Sequence, residues 1–102
     1  MDNLKWFQDW YLSQCDGDWE HGYGVHIETL DNPGWHIKIN LNNSKIKNIE
    51  FKADIERSEH DWIYCKVIKG DFYPTDLVFD GACGPQNLDE IIEIFRNLIK
   101  KI

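Results

Sequence analysis

The sequence predicts an α+β fold: an antiparallel β-sheet of four to five strands flanked by an N-terminal and a C-terminal α-helix. Three observations carry this expectation. Apolar residues recur at helical spacing at both ends of the chain, they alternate with a period of two through its middle, and turn-forming residues separate the alternating runs. At 102 residues the chain has room for one domain, 1–102, around one core.

The first dozen residues read as an amphipathic helix. Leu4, Phe7, Tyr11 and Cys15 fall on one stripe at 100° per residue, with Trp10 and Leu12 at its edges and Trp6 half covered. Asp16-Gly17-Asp18 supplies a stop, because Gly17 accepts the left-handed conformation that ends helices. A first strand follows, with Tyr23, Val25 and Ile27 alternating against Gly24, His26 and Glu28. Asn32-Pro33-Gly34-Trp35 is expected to form a type II turn, Pro33 pre-setting φ and Gly34 taking the positive φ at the third position. Trp35, Ile37, Ile39 and Leu41 make the core face of a second strand. Ile49, Phe51, Ala53 and Ile55 make that of a third. The fourth strand runs from Asp61 to Lys69, with Ile63, Cys65 and Val67 on one side and Trp62, Tyr64 and Lys66 on the other. A short fifth strand is expected over Tyr73–Phe79, weakened by Pro74. The last fifteen residues form a helix in which Asn87 and Glu90 are spaced as a capping box. Leu88, Ile91, Ile92, Phe95, Leu98, Ile99 and Ile102 build its apolar face. Acids sit toward its start and bases toward its end, as the helix dipole favours.

Composition bounds the function. Hydrophobic residues are 42% and charged residues 28% of the chain, the balance of an ordinary globular domain. A formal net charge of −7 argues against nucleic acid or an anionic membrane as partner, since phosphate binding draws on Lys and Arg. No apolar run approaches the roughly 20 residues of a membrane span, and Asp2, Lys5, Gln8 and Asp9 interrupt any signal-peptide core. Cys15, Cys65 and Cys83 are odd in number and form no CxxC pair, so they read as small buried hydrophobes kept reduced in a cytoplasm. The acidity is uneven. Residues 1–34 carry seven acids and one base, a net of −6; residues 35–70 carry +2 and residues 71–102 carry −3.

Few residues ask for catalysis. Asp16, Asp18 and Glu20 invite a calcium reading, but the EF-hand positions that need Gly and Glu hold His21 and Ile27. A solvated acidic loop, or an acidic contact patch for a basic partner, accounts for them. His21, His26, His36 and His60 form no HxH or HExxH pair; cross-strand pairing of His26 and His36 is a weak zinc or pH-switch signal, against surface histidines as the plain account. There is no GxSxG elbow. Gly81, Gly84 and Pro85 lack the Lys-Ser/Thr of a phosphate loop, so they read as a lead-in to the last helix. No catalytic residue, metal ligand or cofactor is assigned.

The aromatics are the unexplained feature: five Trp and four Tyr exceed what one small core needs. If helices cover one sheet face, Trp62 and Tyr64 emerge on the other beside His60 and Asp61, a composition enriched at protein-binding hot spots. The competing account has the first helix covering that second face. The candidate contact residues are therefore Asp16, Asp18, Trp19 and Glu20 in the loop, and His60, Asp61, Trp62 and Tyr64 at the fourth strand.

The stretch LKWFQDWYLSQCDGDWEHGYGVHIETLDNPGW, residues 4–35, resembles the immunity protein 53 family of bacterial polymorphic toxin systems. The likeness resumes in ERSEHDWIYCKV, residues 56–67, and in GPQNLDEIIEIFR, residues 84–96. It departs at about residues 71–83, DFYPTDLVFDGAC, where a shorter glycine-rich connection is expected, leaving the local edge of the sheet open. The resemblance implies a non-enzymatic cytoplasmic antidote that binds and neutralises a cognate toxin domain, a nuclease being one fit; separately, a monomer is expected, or a weak homodimer through the Trp62 and Tyr64 face. The alternative from another class is a small metal-dependent hydrolase using the acidic loop with His21 or His60.

Overall fold

The computed structural model describes residues 2–22, 24–42, 49–70 and 77–101. Helix α1 (Asn3–Gln14) opens on Asp2, whose carboxylate accepts the Lys5 backbone N–H at 3.1 Å and so satisfies one of the amides a first helical turn leaves unpaired. It ends at Cys15, which is extended. Gly17 does take a left-handed φ of 97°, three residues past Gln14, in a turn that leads into a single further helical turn, α2 (Trp19–Gly22), which periodicity does not predict.

Five strands follow: β1 (Val25–Leu30), β2 (Gly34–Asn40), β3 (Lys52–Ser58), β4 (Asp61–Lys69) and β5 (Leu77–Cys83), before helix α3 (Leu88–Lys100). They form one sheet in the order β1-β2-β5-β4-β3, every neighbouring pair antiparallel. The α+β architecture and the two flanking helices match the expectation from sequence. No described helix is long and apolar enough to cross a membrane.

One face of the sheet carries the core. Ile37, Ile39, Ile63, Cys65, Phe79 and Cys83 are at most 1% exposed, and they meet Phe7 and Trp10 of α1, Trp19 of α2, and Ile91, Ile92, Phe95 and Leu98 of α3. Phe95 is the hub. Its ring lies 4.9 Å from Trp10, 5.9 Å from Phe7 and 5.1 Å from Phe79, all edge-on, the geometry that aromatic quadrupoles favour. Both long helices thus feed the same side.

Several local expectations are corrected. The buried side of α1 is Asn3, Phe7 and Trp10, not the stripe through Leu4 and Tyr11, which are 56% and 39% exposed. The helix is apolar on several sides, and α3 decides between them. Phe95 receives Trp6, Phe7 and Trp10, while the buried Arg96 donates to Asn3 Oδ1 at 3.2 Å and lies 5.5 Å from the Trp6 ring centre. Gly34 is no turn residue with positive φ: it pairs with Leu30 as the first residue of β2, so the loop is 31–33. Its glycine identity answers to close packing, because a Cβ there would collide with the Cys83 carbonyl oxygen.

The largest correction concerns residues 77–83, which are not a connection or an edge but the central strand of the sheet, bonded to β2 on one side and β4 on the other. Gly81 sits at its middle, where an added Cβ would lie 2.6 Å from Ile91 Cδ1 and 3.0 Å from Cys65 Cβ. The glycine lets α3 lie close on the sheet. Asn87 precedes α3 but makes no side-chain cap bond; its amide ties the helix start to β4 instead. Parts of the sequence expectation fall on Tyr23, on residues 71–76 including Tyr73 and Pro74, and on Ile102; these lie outside the described residues.

Candidate functional site

Strand pairing places on the opposite face the residues that alternate with the core. Four rows run across it: Asn40, Val78 and Ile68; His26, Lys38, Asp80, Lys66 and Lys52; Glu28, His36, Ala82, Tyr64 and Asp54; then Leu30, Gly34, Trp62 and Glu56. Apart from Gly34, Asn40 and Val78, every one of these residues is exposed or half-buried. Three lysines stand among four carboxylates, so the face is mixed in charge rather than uniformly acidic.

The charges are ordered by short contacts. His36 bridges two strands, with Nε2 2.6 Å from Asp80 Oδ1 and Nδ1 3.5 Å from Glu28 Oε1; a carboxylate only accepts, so the Asp80 contact assigns a proton to Nε2. His26 stands opposite Lys38, and His36 stands opposite Glu28, so the two histidines share a face in neighbouring rows. Tyr64 lies between Lys52 and Lys66, whose ammonium groups are 5.5 and 5.7 Å from its ring centre, within cation–π range.

At the β3–β4 side the face dips into a shallow, open groove of about 520 Å³, lined by Asp54, Ile55, Glu56 and Ser58 from one strand and Trp62, Ile63 and Tyr64 from the other. Glu56 stands directly across from Trp62, and Asp54 across from Tyr64. Sequence reasoning names the two aromatics and misses these two acids. The alternation of the third strand carries Asp54, but its cross-strand partner depends on register, which a single sequence does not declare.

The remaining candidates are placed differently. Asp61 turns away from Trp62 toward the start of α3, where it accepts from Arg57 Nη1 at 2.8 Å and from Asn87 Nδ2 at 2.9 Å. The Asn87 hydrogen bond, and then Arg57, hold its carboxyl below the usual range. Arg57 also clasps Glu90 with both guanidinium nitrogens, closing a rim network between β3 and α3. His60 is exposed in the β3–β4 turn.

In the acidic loop the carboxylates serve the loop itself. Asp16 Oδ1 accepts the Asp18 and Trp19 backbone amides at 2.9 and 3.0 Å, and Glu20 accepts those of Asp16 and Gly17 at 2.9 and 2.8 Å. Hydrogen bonding from the Glu20 amide, then from Asp16 and Gly17, lowers the Glu20 pKa. Asp18 remains exposed. Trp19 does not: it is 2% exposed, its indole donates to the Asn40 carbonyl at 3.2 Å, and it packs edge-on against Trp10 at 5.9 Å. It holds the loop from beneath and presents no ring to a partner.

The two predicted clusters are therefore not one site. Trp19 anchors the loop at Asn40, opposite Val78 and Ile68, whereas Trp62 lies beside Gly84 at the other end of β4. Six strand residues separate those ends, about 20 Å. Among the described residues no three His, Cys, Asp or Glu side chains gather to hold a metal ion. Cys65 and Cys83 are buried in the core, and burial pushes both thiols up to about 11.

A sheet covered by helices on one side, with ring faces, lysines and carboxylates set out on the other, defines a small α+β domain. Its aromatic groove is open and shallow. Residues 4–100 match the family model described as Immunity protein 53, and the chain belongs to that family. No curated protein matches the chain, and no solved structure does. Membership supports an immunity function against a toxin, a protein toxin as the kind of partner, and an inhibitor rather than an enzyme as the kind of protein.

Proposed function

We propose that this chain neutralises, by binding in the cytoplasm, the cognate toxin of a bacterial polymorphic toxin system, and that it binds with the groove side of the open sheet face. The match to the immunity family over residues 4–100 carries the reading. The choice of surface is supported by Trp62 and Tyr64, half-buried rings beside Asp54 and Glu56 on a face to which neither long helix contributes its apolar side. Trp and Tyr fill pockets on a partner and slow dissociation; acids pair with its Lys and Arg. His60 and Asp61, which precede Trp62 at the β3–β4 turn, extend this contact surface beyond the groove. Asp16, Asp18 and Glu20, with Trp19 supporting them, contribute to the field of a chain of net charge −7, which raises the rate of encounter with a cationic surface such as a nuclease cleft.

The test is growth of a bacterial host expressing the C-terminal domain of the neighbouring upstream reading frame, with and without this chain. Arrest relieved by co-expression is the expected result. Trp62→Ala should then keep the wild-type melting curve and weaken binding by on the order of 2 kcal/mol. A variant that binds normally removes Trp62 from the contact surface, and a toxic neighbour that the chain does not relieve removes that neighbour as its cognate partner.

A further inference from the structure

We propose that the outer edge of β3 is a docking edge for a β-strand of the toxin, one in which cationic and apolar side chains alternate. The inference rests on the toxin-binding reading above and names the backbone chemistry of that same surface.

The bonding pattern of the sheet fixes which groups of β3 are available. The Val67 N–H donates to the Phe51 carbonyl at 3.0 Å, so Phe51 and Val67 form a hydrogen-bonded pair. In an antiparallel ladder such pairs recur at every second residue, which turns the backbone groups of Ala53 and Ile55 toward Cys65 and Ile63. The N–H and C=O groups of Lys52, Asp54 and Glu56 must then point away from β4. Among the described residues β4 is the one neighbour of β3, so this edge offers up to three donors and three acceptors in strand geometry. β1, the other edge, differs. Asn40 donates to Gly24 there, so Val25, Ile27 and Thr29 face outward, and their side chains belong to the core side of the sheet.

The side chains specify the occupant. A strand laid beside β3 sets every second residue on the open face, next to Lys52, Asp54 and Glu56, and the residues between them next to the half-buried Ala53 and Ile55. Lys or Arg opposite Asp54 and Glu56, with small apolar residues between, satisfies both sides. The groove extends this selection inward. Tyr64 already has two ammonium groups over its ring, whereas Trp62, with Glu56 directly across, has none among the described residues. An arginine reaching over Glu56 would meet both a carboxylate and an indole face. A second copy of this chain is the poorer occupant: antiparallel pairing of two β3 edges centred on Asp54 sets Lys52 against Glu56 twice, but it also sets Asp54 against Asp54 between two bodies of charge −7.

The experiment is residue-resolved amide hydrogen exchange on the full chain, free and with the C-terminal domain of the neighbouring upstream reading frame, alongside two variants. Asp54→Pro removes an outward N–H at an edge position where proline is tolerated; Asp54→Asn keeps the N–H and removes the charge. Expected are at least tenfold slower exchange at Lys52, Asp54 and Glu56 on binding and unchanged exchange at Ala53 and Ile55. Asp54→Pro should lose at least 100-fold in affinity with its melting curve retained, and Asp54→Asn about tenfold. Binding that leaves those three amides as they were overturns the edge, while neutralisation by another surface stands. A self-associated chain whose partner-free state already protects them overturns the choice of occupant. Absence of any complex or rescue with wild-type protein overturns the underlying toxin reading for that partner, and this inference with it.

Discussion

Replacing Trp19 by Phe separates a core role from a contact role in one step. The indole is 2% exposed and donates to the Asn40 carbonyl at 3.2 Å. Phe keeps a ring against Trp10 but removes the donor, at a cost of about 1 kcal/mol for the lost bond. The missing ring atoms leave unfilled volume worth roughly 1–2 kcal/mol more. The sum, ~2–3 kcal/mol, lowers the melting temperature of a domain this size by roughly 10–20 °C. Trp62→Phe, on the open face, should change stability by less than about 1 kcal/mol. Urea and thermal denaturation followed by circular dichroism measure both. A Trp19→Phe protein that melts with the wild type, or a Trp62→Phe protein that is equally destabilised, would refute the placement of these two rings.

Gly81→Ala should destabilise by about 1–2 kcal/mol, because the new methyl meets Ile91 Cδ1 at 2.6 Å in a packed core. Ile91→Val removes that atom, so the double variant should be more stable than the sum of the singles by about 1 kcal/mol; additivity in a double-mutant cycle would sink the contact. Asp61 has a folded-state pKa lowered from 3.8 by Asn87 and Arg57, so its contribution to stability is present above that value and lost as pH falls through the lower folded one. Asp61→Asn should flatten the acid limb of a stability–pH curve below about pH 4, and an unaltered limb would show that the network carries no linkage. Native protein should offer Cys15 to a disulfide reagent at pH 8 while Cys65 and Cys83, fully buried with thiols pushed up to about 11, react only on denaturation. Three rapidly reacting thiols in the folded state would contradict that core.

The legible parts of the fold are those where one side of an element is apolar and the other is not. β4 is bounded by Asp61 and Lys69 as its alternation indicates, and the α3 face through Ile91, Ile92, Phe95 and Leu98 follows helical spacing. α1 resists because Leu4, Trp6, Phe7, Trp10, Tyr11 and Leu12 surround it, and a partner ring, Phe95, selects the side. β5 resists because Asp80-Gly81-Ala82 is poor strand sequence. Asp80 is held by His36 from β2, and Gly81 is required by the approach of α3. Trp19 looks like a surface residue because acids flank it, yet those acids bond the loop backbone and leave the indole to the interior. The groove aromatics were readable from alternation; the acids opposite them depend on register.

The place of β5 has a consequence for how the molecule comes into being. Among the described residues the β1–β2 and β3–β4 hairpins share no rung of the ladder, and the strand that bonds both is the last of the five in sequence. A nascent chain therefore carries two separate ribbons, each with edges unpaired, until residues 77–83 emerge and join them. A chain ended at residue 76 should be cut rapidly by protease where the full chain resists. The sheet is thus closed only near the end of synthesis, and every half-made copy carries unpaired strand edges until then.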